Sequence, residues 1–222
     1  MWRDAALIAA KDLRIELRSR VLLNQLAPMA MLMLVLFAFA LGPGRGALVP
    51  AAPGLFWTGT LFSALLAVQR SWAVEPVEGA HDPLHLAGMD SSGIFFGKLA
   101  AVLAELLTLE VLLGIGVVVL FGARVASPAE LLLSTLAGTV GLAAVGVLYG
   151  ALASGMHTKE TLFPLLFLPV ASPVLVAGTR AWQVALGTAH MGAGPWMTLL
   201  VVFAALYLSA GVLLYGPLEG TE

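Results

Sequence analysis

Six apolar runs, each long enough to cross a lipid bilayer, constrain this chain more than any other feature of its sequence. A hydrocarbon core about 30 Å thick needs about 20 apolar residues per helix, because lipid offers backbone amides no hydrogen-bond partner. The runs cover residues 21–41, 54–72, 94–122, 129–153, 161–179 and 196–217. The sequence therefore predicts an all-α integral membrane protein with six transmembrane helices.

The composition leaves no room for a large soluble domain. Hydrophobic residues make up 60% of the chain and charged residues 11%, whereas an ordinary soluble domain has about 25% charged residues. We therefore treat residues 1–222 as a single transmembrane domain. The chain has no cysteine, so disulfides and thiolate metal sites are excluded.

The distribution of basic residues predicts the orientation, since short loops rich in lysine and arginine stay in the cytoplasm. With the N-terminus inside, eight of the eleven basic residues fall in inner segments and three, Arg45, Arg124 and Arg180, fall outside. Both termini are therefore predicted to be cytoplasmic.

Aromatic residues are placed as interfacial anchors often are. Trp57 and Trp72 bracket the second run, and Trp196 and Tyr215 bracket the sixth. We therefore expect these rings at the membrane boundaries.

Residues 1–20 have the pattern of an amphipathic helix on the inner membrane surface. One face carries Trp2, Ala6, Ala9, Leu13 and Leu17, and the basic residues lie opposite. The face is imperfect: Leu7, Ile8 and Ile15 fall on the polar side, and Glu16 lies beside the apolar one. Partial packing of this helix against protein stays open.

The inner loop, residues 73–93, is the longest polar stretch after the N-terminal helix. It begins with acidic residues, continues with Pro83, Leu84 and Leu86, and ends in small polar residues before the third run. A docking element and a solvated connector both fit this pattern. His81 and His85 are four positions apart, but Pro83 lies between them and no third ligand is near, so no metal site is predicted.

Glu105 and Glu110 lie inside the third run, where a carboxylate is costly unless it is paired or protonated. Five positions separate them, which is about 140° on a helix, so the two cannot share a face. We therefore expect these intramembrane polar residues either to have a function or to hydrogen-bond a neighbouring helix.

Two further runs carry helix-packing signals. Gly146, Gly150 and Ser154 form a small-residue stripe that lets helices approach closely, within the chain or between subunits. In the fifth run Pro164, Pro169 and Pro173 each lack an amide donor, which predicts a kinked or broken helix, either a hinge or a fixed bend.

No catalytic residue is predicted. The glycines of GPGRG at residues 42–46 lack the ending of a phosphate-binding loop. The chain is therefore not expected to bind ATP by that motif.

The chain resembles the CcmB family of cytochrome c maturation proteins, also called haem exporter protein B, over almost its full length. The resemblance is carried by LGPGRGALVPAAPGLFWTGTLFSALLAVQRSWAVE, by the acidic inner loop ending in GKL, and by LPVASPVLVAG in the fifth run. It implies the fold of type-2 ABC exporter permeases. In that fold an interfacial helix and six spans carry a coupling helix that docks on a separate ATPase.

The resemblance also implies a coupling interface and partners. Its likeliest contact residues are Glu78, Gly79, Asp82, Leu84, His85 and Leu86. The implied partners are a CcmA-like ATPase that binds ATP, a haem-handling CcmC-like subunit, a small CcmD-like subunit and a CcmE-like periplasmic haem chaperone. Membrane lipid is a further partner, and nucleic acid is not. The complex would handle haem in the bacterial inner membrane, with no cofactor bound directly by this chain.

Pro76, Pro83, Glu105 and Glu110 depart from the family pattern. The boundaries of the coupling region and the roles of the two glutamates are therefore not carried over. Two other functions fit the sequence: a scaffold of the same complex that does not transport, and a general ABC exporter permease for lipid, drug or polysaccharide.

Overall fold

The computed structural model describes residues 1–42, 45–73, 90–154, 159–189 and 192–219, and every regular element in these ranges is helical. The elements are α1 Trp2–Ser19, a π-helical turn Leu22–Leu26, α2 Ala27–Ala40, α3 Arg45–Ala73, α4 Ser91–Phe121, α5 Pro128–Ser154, α6 Lys159–Ala185 and α7 Gly194–Glu219. The predicted all-α membrane architecture is confirmed.

Five helices are each long and apolar enough to cross a bilayer alone. Their candidate spans are Gly46–Ser71, Ser91–Phe121, Pro128–Ala153, Leu162–Ala185 and Gly194–Gly216. The first predicted span, 21–41, is built differently, from the π-helical turn followed by α2. This segment is long and apolar enough to cross a bilayer only together with α1, and the two are bent by 52° relative to each other. The described part of the chain therefore has five such helices, or six with this bent pair.

The second transmembrane helix begins at Arg45, nine positions before the apolar run at residue 54. Pro50 and Pro53 lie inside it. A proline removes the hydrogen bond to the carbonyl four residues earlier, so the carbonyls affected are those of Gly46 and Val49, close to the helix end.

The N-terminal helix packs against protein. The face of α1 that carries Ala5 and Ile8 is buried against the first half of α4. Gly97 makes this contact possible, since a Cβ there would collide with the Ile8 side chain and the Ala5 carbonyl. Trp2 and Leu17, from the predicted apolar face, remain 71% and 77% exposed. The face that packs is therefore not the one that the sequence pattern favoured.

Trp57 lies in the centre of the bundle. Its side chain is 1% exposed and lies against the backbone of Gly138 in α5 and Gly178 in α6, where any Cβ would collide with the indole ring. The prediction that Trp57 anchors a membrane boundary is therefore wrong. Tyr215 does lie near the end of its candidate span Gly194–Gly216. It is also fully buried, with its ring centroid 5.6 Å from that of Phe95, so the ring packs against protein there.

The small-residue stripe of α5 makes a contact within the chain. Gly146 lies against Val68 of α3 and Phe167 of α6, and a Cβ at Gly146 would come within 2.6 Å of a Val68 methyl group. Gly150 is also buried, whereas the side chain of Ser154 lies outside the described residues. The stripe therefore serves internal packing at Gly146.

Helix α6 runs unbroken through Pro164, Pro169 and Pro173, so of the predicted kink or break, the break does not occur. Pro173 cannot donate to the carbonyl of Pro169, as an ordinary residue at its position would. The hydroxyl of Ser172 donates to that carbonyl instead, at 2.7 Å. A side chain thus replaces a backbone donor that the proline removed.

Candidate functional site

The predicted coupling residues Glu78, Gly79, Asp82, Leu84, His85 and Leu86 lie in 74–89, outside the described residues. Both flanks of that segment are described: the end of α3 before it, and Asp90 with the start of α4 after it. Each flank is held by α1. We call this side of the molecule, where α3 ends and α4 begins, the α1 end of the bundle.

The first flank is held by an ion pair. Arg70, near the end of α3, donates from Nη2 to Glu16 Oε2 at 2.7 Å and lies 3.2 Å from Ser19 Oγ. The other oxygen of the same carboxylate, Glu16 Oε1, accepts the backbone N–H of Leu22 at 2.7 Å. Glu16 therefore joins α1, α3 and the first turn of the segment leading into α2.

The second flank is held by Asp4 and by close backbone packing. Asp4 Oδ2 accepts the ammonium group of Met1 at 3.0 Å and the backbone N–H of Asp90 at 3.5 Å. The hydrogen bond from that ammonium, the largest influence, lowers the pKa of the Asp4 carboxyl. A Cβ at Gly93 would come within 2.8 Å of the Met1 carbonyl, so only glycine lets α4 approach α1 this closely.

We call the Glu16 to Arg70 pair and the contacts of Asp4 with Asp90 and Gly93 the α1 clamp. Twelve positions separate Asp4 from Glu16, which is about 18 Å along a helix. One helix therefore contacts both flanks of the segment 74–89.

Glu105 faces the clamp. It lines a cavity of about 30 Å³ with Asp12, Glu16, Arg70 and other residues at the α1 end of the bundle. Several carboxylates thus surround one guanidinium group. Across the described residues, no group of three or more His, Asp or Glu side chains has the geometry to hold a metal ion.

Glu110 lies in different surroundings, among hydroxyl groups of α5. Its side chain is 4% exposed, and its Oε1 lies 2.7 Å from Thr139 Oγ1. Thr139 Oγ1 is also 2.7 Å from the carbonyl of Thr135. A hydroxyl has one proton, so Thr139 donates to one of the two oxygens at a time. The contact between Glu110 and Thr139 joins α4 to α5, which agrees with one of the two expectations for these glutamates, a hydrogen bond to a neighbouring helix.

Sequence reasoning missed the rest of this polar network. Trp182 of α6 donates from Nε1 to Thr135 Oγ1 at 2.9 Å. The available signal was the pair Thr135 and Thr139, four positions apart and so on one face of an apolar helix. The network links α4, α5 and α6 in the interior of the bundle.

Comparison with known proteins gives one consistent result. A model of the family described as CcmB protein matches residues 3–216. A protein of Paracoccus denitrificans (strain Pd 1222) named Heme exporter protein B is 32% identical over 203 residues, which cover 90% of this chain and 89% of that protein. One of the same name from Pseudomonas aeruginosa is 28% identical over 207 residues, covering 90% of each. This chain therefore belongs to the CcmB family, as its sequence predicted.

Proposed function

We propose that this chain is the permease subunit of an ABC-type haem exporter complex that serves cytochrome c maturation in the bacterial inner membrane. The observation that carries the proposal is the family match over residues 3–216, with relatives named Heme exporter protein B. The multi-span helical bundle is the architecture that such a subunit needs.

In this proposal the chain transmits motion and catalyses nothing. A CcmA-like ATPase binds and hydrolyses ATP and docks on the segment 74–89, with Glu78 and Asp82 among its contacts. The α1 clamp supports this assignment, because it ties both flanks of that segment to one helix. Movement of the ATPase pair is passed through Glu16 to α2 and through Gly93 to α4. A ligand that binds two arrangements unequally shifts their populations, which is how ATP would drive the change.

The remaining partners would be a CcmC-like membrane subunit that handles haem, a small CcmD-like subunit and a CcmE-like periplasmic chaperone. The output is either haem moved across the membrane or a haem-loaded chaperone released from the complex. Both outputs use the same coupling step. In either case we place the two termini of the chain in the cytoplasm.

A charge-reversal experiment tests the coupling step. We expect the double variant Glu78→Lys/Asp82→Lys to lose haem delivery to the chaperone while the chain still accumulates in the membrane. Glu130→Lys, at the opposite end of the bundle in the first turn of α5, is the matched control and should deliver haem normally. Unchanged delivery by the double variant would refute the proposal.

Mild detergent purification of both variants adds a second measurement. Mass spectrometry should find the ATPase and a CcmC-like subunit with the control, and less ATPase with the double variant. An absorption spectrum reports haem in the same sample. Association with an unrelated ATPase, without haem-handling subunits, would instead identify a general exporter.

A further inference from the structure

The acidic residues and the arginines of α1 lie on different faces of the helix. Its acidic residues Asp4, Asp12 and Glu16 are on the side that packs against α3 and α4, where Asp4 and Glu16 make the contacts of the clamp. Its arginines Arg3, Arg14 and Arg18 are exposed, and none of the three makes an ion pair with the described part of the chain. The charge of these three arginines is therefore directed away from the described part of the protein.

These three arginines form a narrow strip, which we call the basic flank. At 100° per residue they fall within about 60° of one another on the helix. Lys11, Arg14 and Arg18 line a groove of about 280 Å³ whose other walls are Leu7, Ala10 and Ile15. Trp2 and Leu17 lie exposed on the neighbouring strip. Cationic groups thus stand directly beside apolar surface.

The groove also lies at the depth of a membrane boundary. Arg14 and Arg18 are two positions either side of Glu16, which binds Arg70. Arg70 is the last residue but one of the candidate span Gly46–Ser71. Lipid headgroups meet the hydrocarbon at the ends of spans. The basic flank is therefore beside the headgroup layer.

We infer that the basic flank of α1 binds the phosphate groups of anionic phospholipids in the leaflet at the α1 end of the bundle. The charge is complementary, and the groove offers aliphatic walls to the glycerol and upper acyl carbons of a lipid. A free phosphate ion would make no use of those walls. This inference does not depend on the proposed function.

The test uses the full chain in detergent with equimolar phosphatidylglycerol and phosphatidylcholine, and native mass spectrometry counts the lipids that stay bound. We expect the wild-type chain to retain phosphatidylglycerol preferentially. Each basic residue near an anionic surface contributes enough for roughly a fivefold change in binding. Arg14→Gln/Arg18→Gln should therefore reduce the preference by roughly fivefold for each arginine removed.

Matched controls separate charge from general damage. Arg124→Gln/Arg180→Gln removes two exposed arginines predicted to lie on the other side of the membrane, and it should keep the preference. Arg14→Lys/Arg18→Lys retains the charge and should also keep it. If the glutamine variant does not fold, raising the ionic strength with the wild-type chain replaces it, since salt screens exposed charges. The preference should then fall.

Three results would overturn the inference. One is equal retention of both lipids by the wild-type chain. Another is displacement of phosphatidylglycerol by millimolar inorganic phosphate, which would indicate a simple anion site. The third is an unchanged preference in Arg14→Gln/Arg18→Gln, as expected if acidic residues of the chain, such as Glu75 and Glu78, neutralise the flank instead.

Discussion

Trp57 and the two glycines that receive it dominate the packing at the scale of single residues. The indole ring lies between α5 and α6 because Gly138 and Gly178 present only backbone to it. Phe56, the preceding residue, stacks on Trp182 with ring centroids 3.8 Å apart. The contact of α3 with α5 and α6 therefore depends on the missing side chains of Gly138 and Gly178 as well as on the ring of Trp57.

Gly178→Ala should destabilise the bundle, because the new methyl group would overlap the Trp57 ring. Overpacking of a filled interior typically costs about 1–3 kcal/mol. The matched control is Gly114→Ala in α4, where an added Cβ meets nothing within 4 Å. Thermal unfolding in detergent measures both. Equal melting temperatures for the two variants would contradict this account of the packing.

Glu110 shows what sequence can and cannot supply at this scale. The cost of a carboxylate at its depth is a property of the residue and its position, so the need for a partner could be predicted. The partner itself depends on the rotation of α5 against α4, which brings Thr139 within 2.7 Å. The prediction for Trp57 was wrong for a related reason. A ring near the start of an apolar run resembles an interfacial anchor, but the helix begins at Arg45, twelve residues before Trp57.

At the scale of elements, α6 illustrates how a helix accommodates proline in the membrane. The exposed Ser172 hydroxyl satisfies the Pro169 carbonyl that Pro173 leaves without an amide donor. The three prolines were visible in the sequence and predicted a kink or break. The compensating serine was equally visible, but its role depends on a local rotamer.

Ser172→Ala should therefore destabilise α6 more than an ordinary serine substitution does. The Pro169 carbonyl would be left without a donor, and lipid offers none to replace it; an unsatisfied polar group out of water costs about 1–3 kcal/mol. Ser209→Ala in α7 is the control, because Ser209 also donates to a carbonyl, that of Ala205, within a helix that lacks a proline there. Unfolding free energies should differ clearly; if the two variants lose the same stability, the compensation is absent.

Helix α1 links elements through Glu16, and two substitutions separate its two bonds. Glu16→Gln keeps an oxygen for the Leu22 N–H but weakens the bond to Arg70, whereas Glu16→Ala removes both. Hydrogen bonds to charged groups contribute about 1.5–3 kcal/mol before exposure reduces them, and the Arg70 side chain is 27% exposed. We expect Glu16→Ala to lower stability further than Glu16→Gln by about 1 kcal/mol, measured by thermal unfolding.

Glu130→Gln, in the first turn of α5, is the control for this pair and should have little effect. Equal losses for Glu16→Ala and Glu16→Gln would mean that the bond to Leu22 contributes nothing to stability. Hydrogen exchange at the end of α3 reports the Arg70 bond separately, and should increase in both variants.

At the scale of the whole molecule, the apolar runs were sufficient to predict the membrane architecture and five of the six expected spans, while the first span qualifies only together with α1. Spatial arrangement was not predictable, because many helix packings bury the same residues. The helices differ in how much of their surface the protein covers. In α3, 67% of the most apolar window is buried inside the protein, whereas in α7 only 17% of the corresponding window is buried. Mean hydropathy does not predict this difference, because the more buried window has the lower value, 1.5 against 2.3.

The predicted orientation can be tested cleanly because the chain has no cysteine. Single cysteines at the exposed positions Ala10 and Ala126 would lie on opposite sides of the membrane. A thiol reagent that cannot cross the membrane should label Ala126→Cys in intact cells, and Ala10→Cys only after the cells are opened. The reverse pattern would place both termini outside and invert the assignment of the coupling segment.

The burial of Trp57 also dictates an order of assembly. Residue 57 is synthesised well before Gly138 and Gly178, so α3 enters the membrane while the two surfaces that receive its largest side chain do not yet exist. Until Gly178 has been translated, the Trp57 ring lacks one of its two receiving surfaces, so α3 cannot reach its final packing. A chain that stalls before Gly178 therefore leaves one side of this ring without its protein contact.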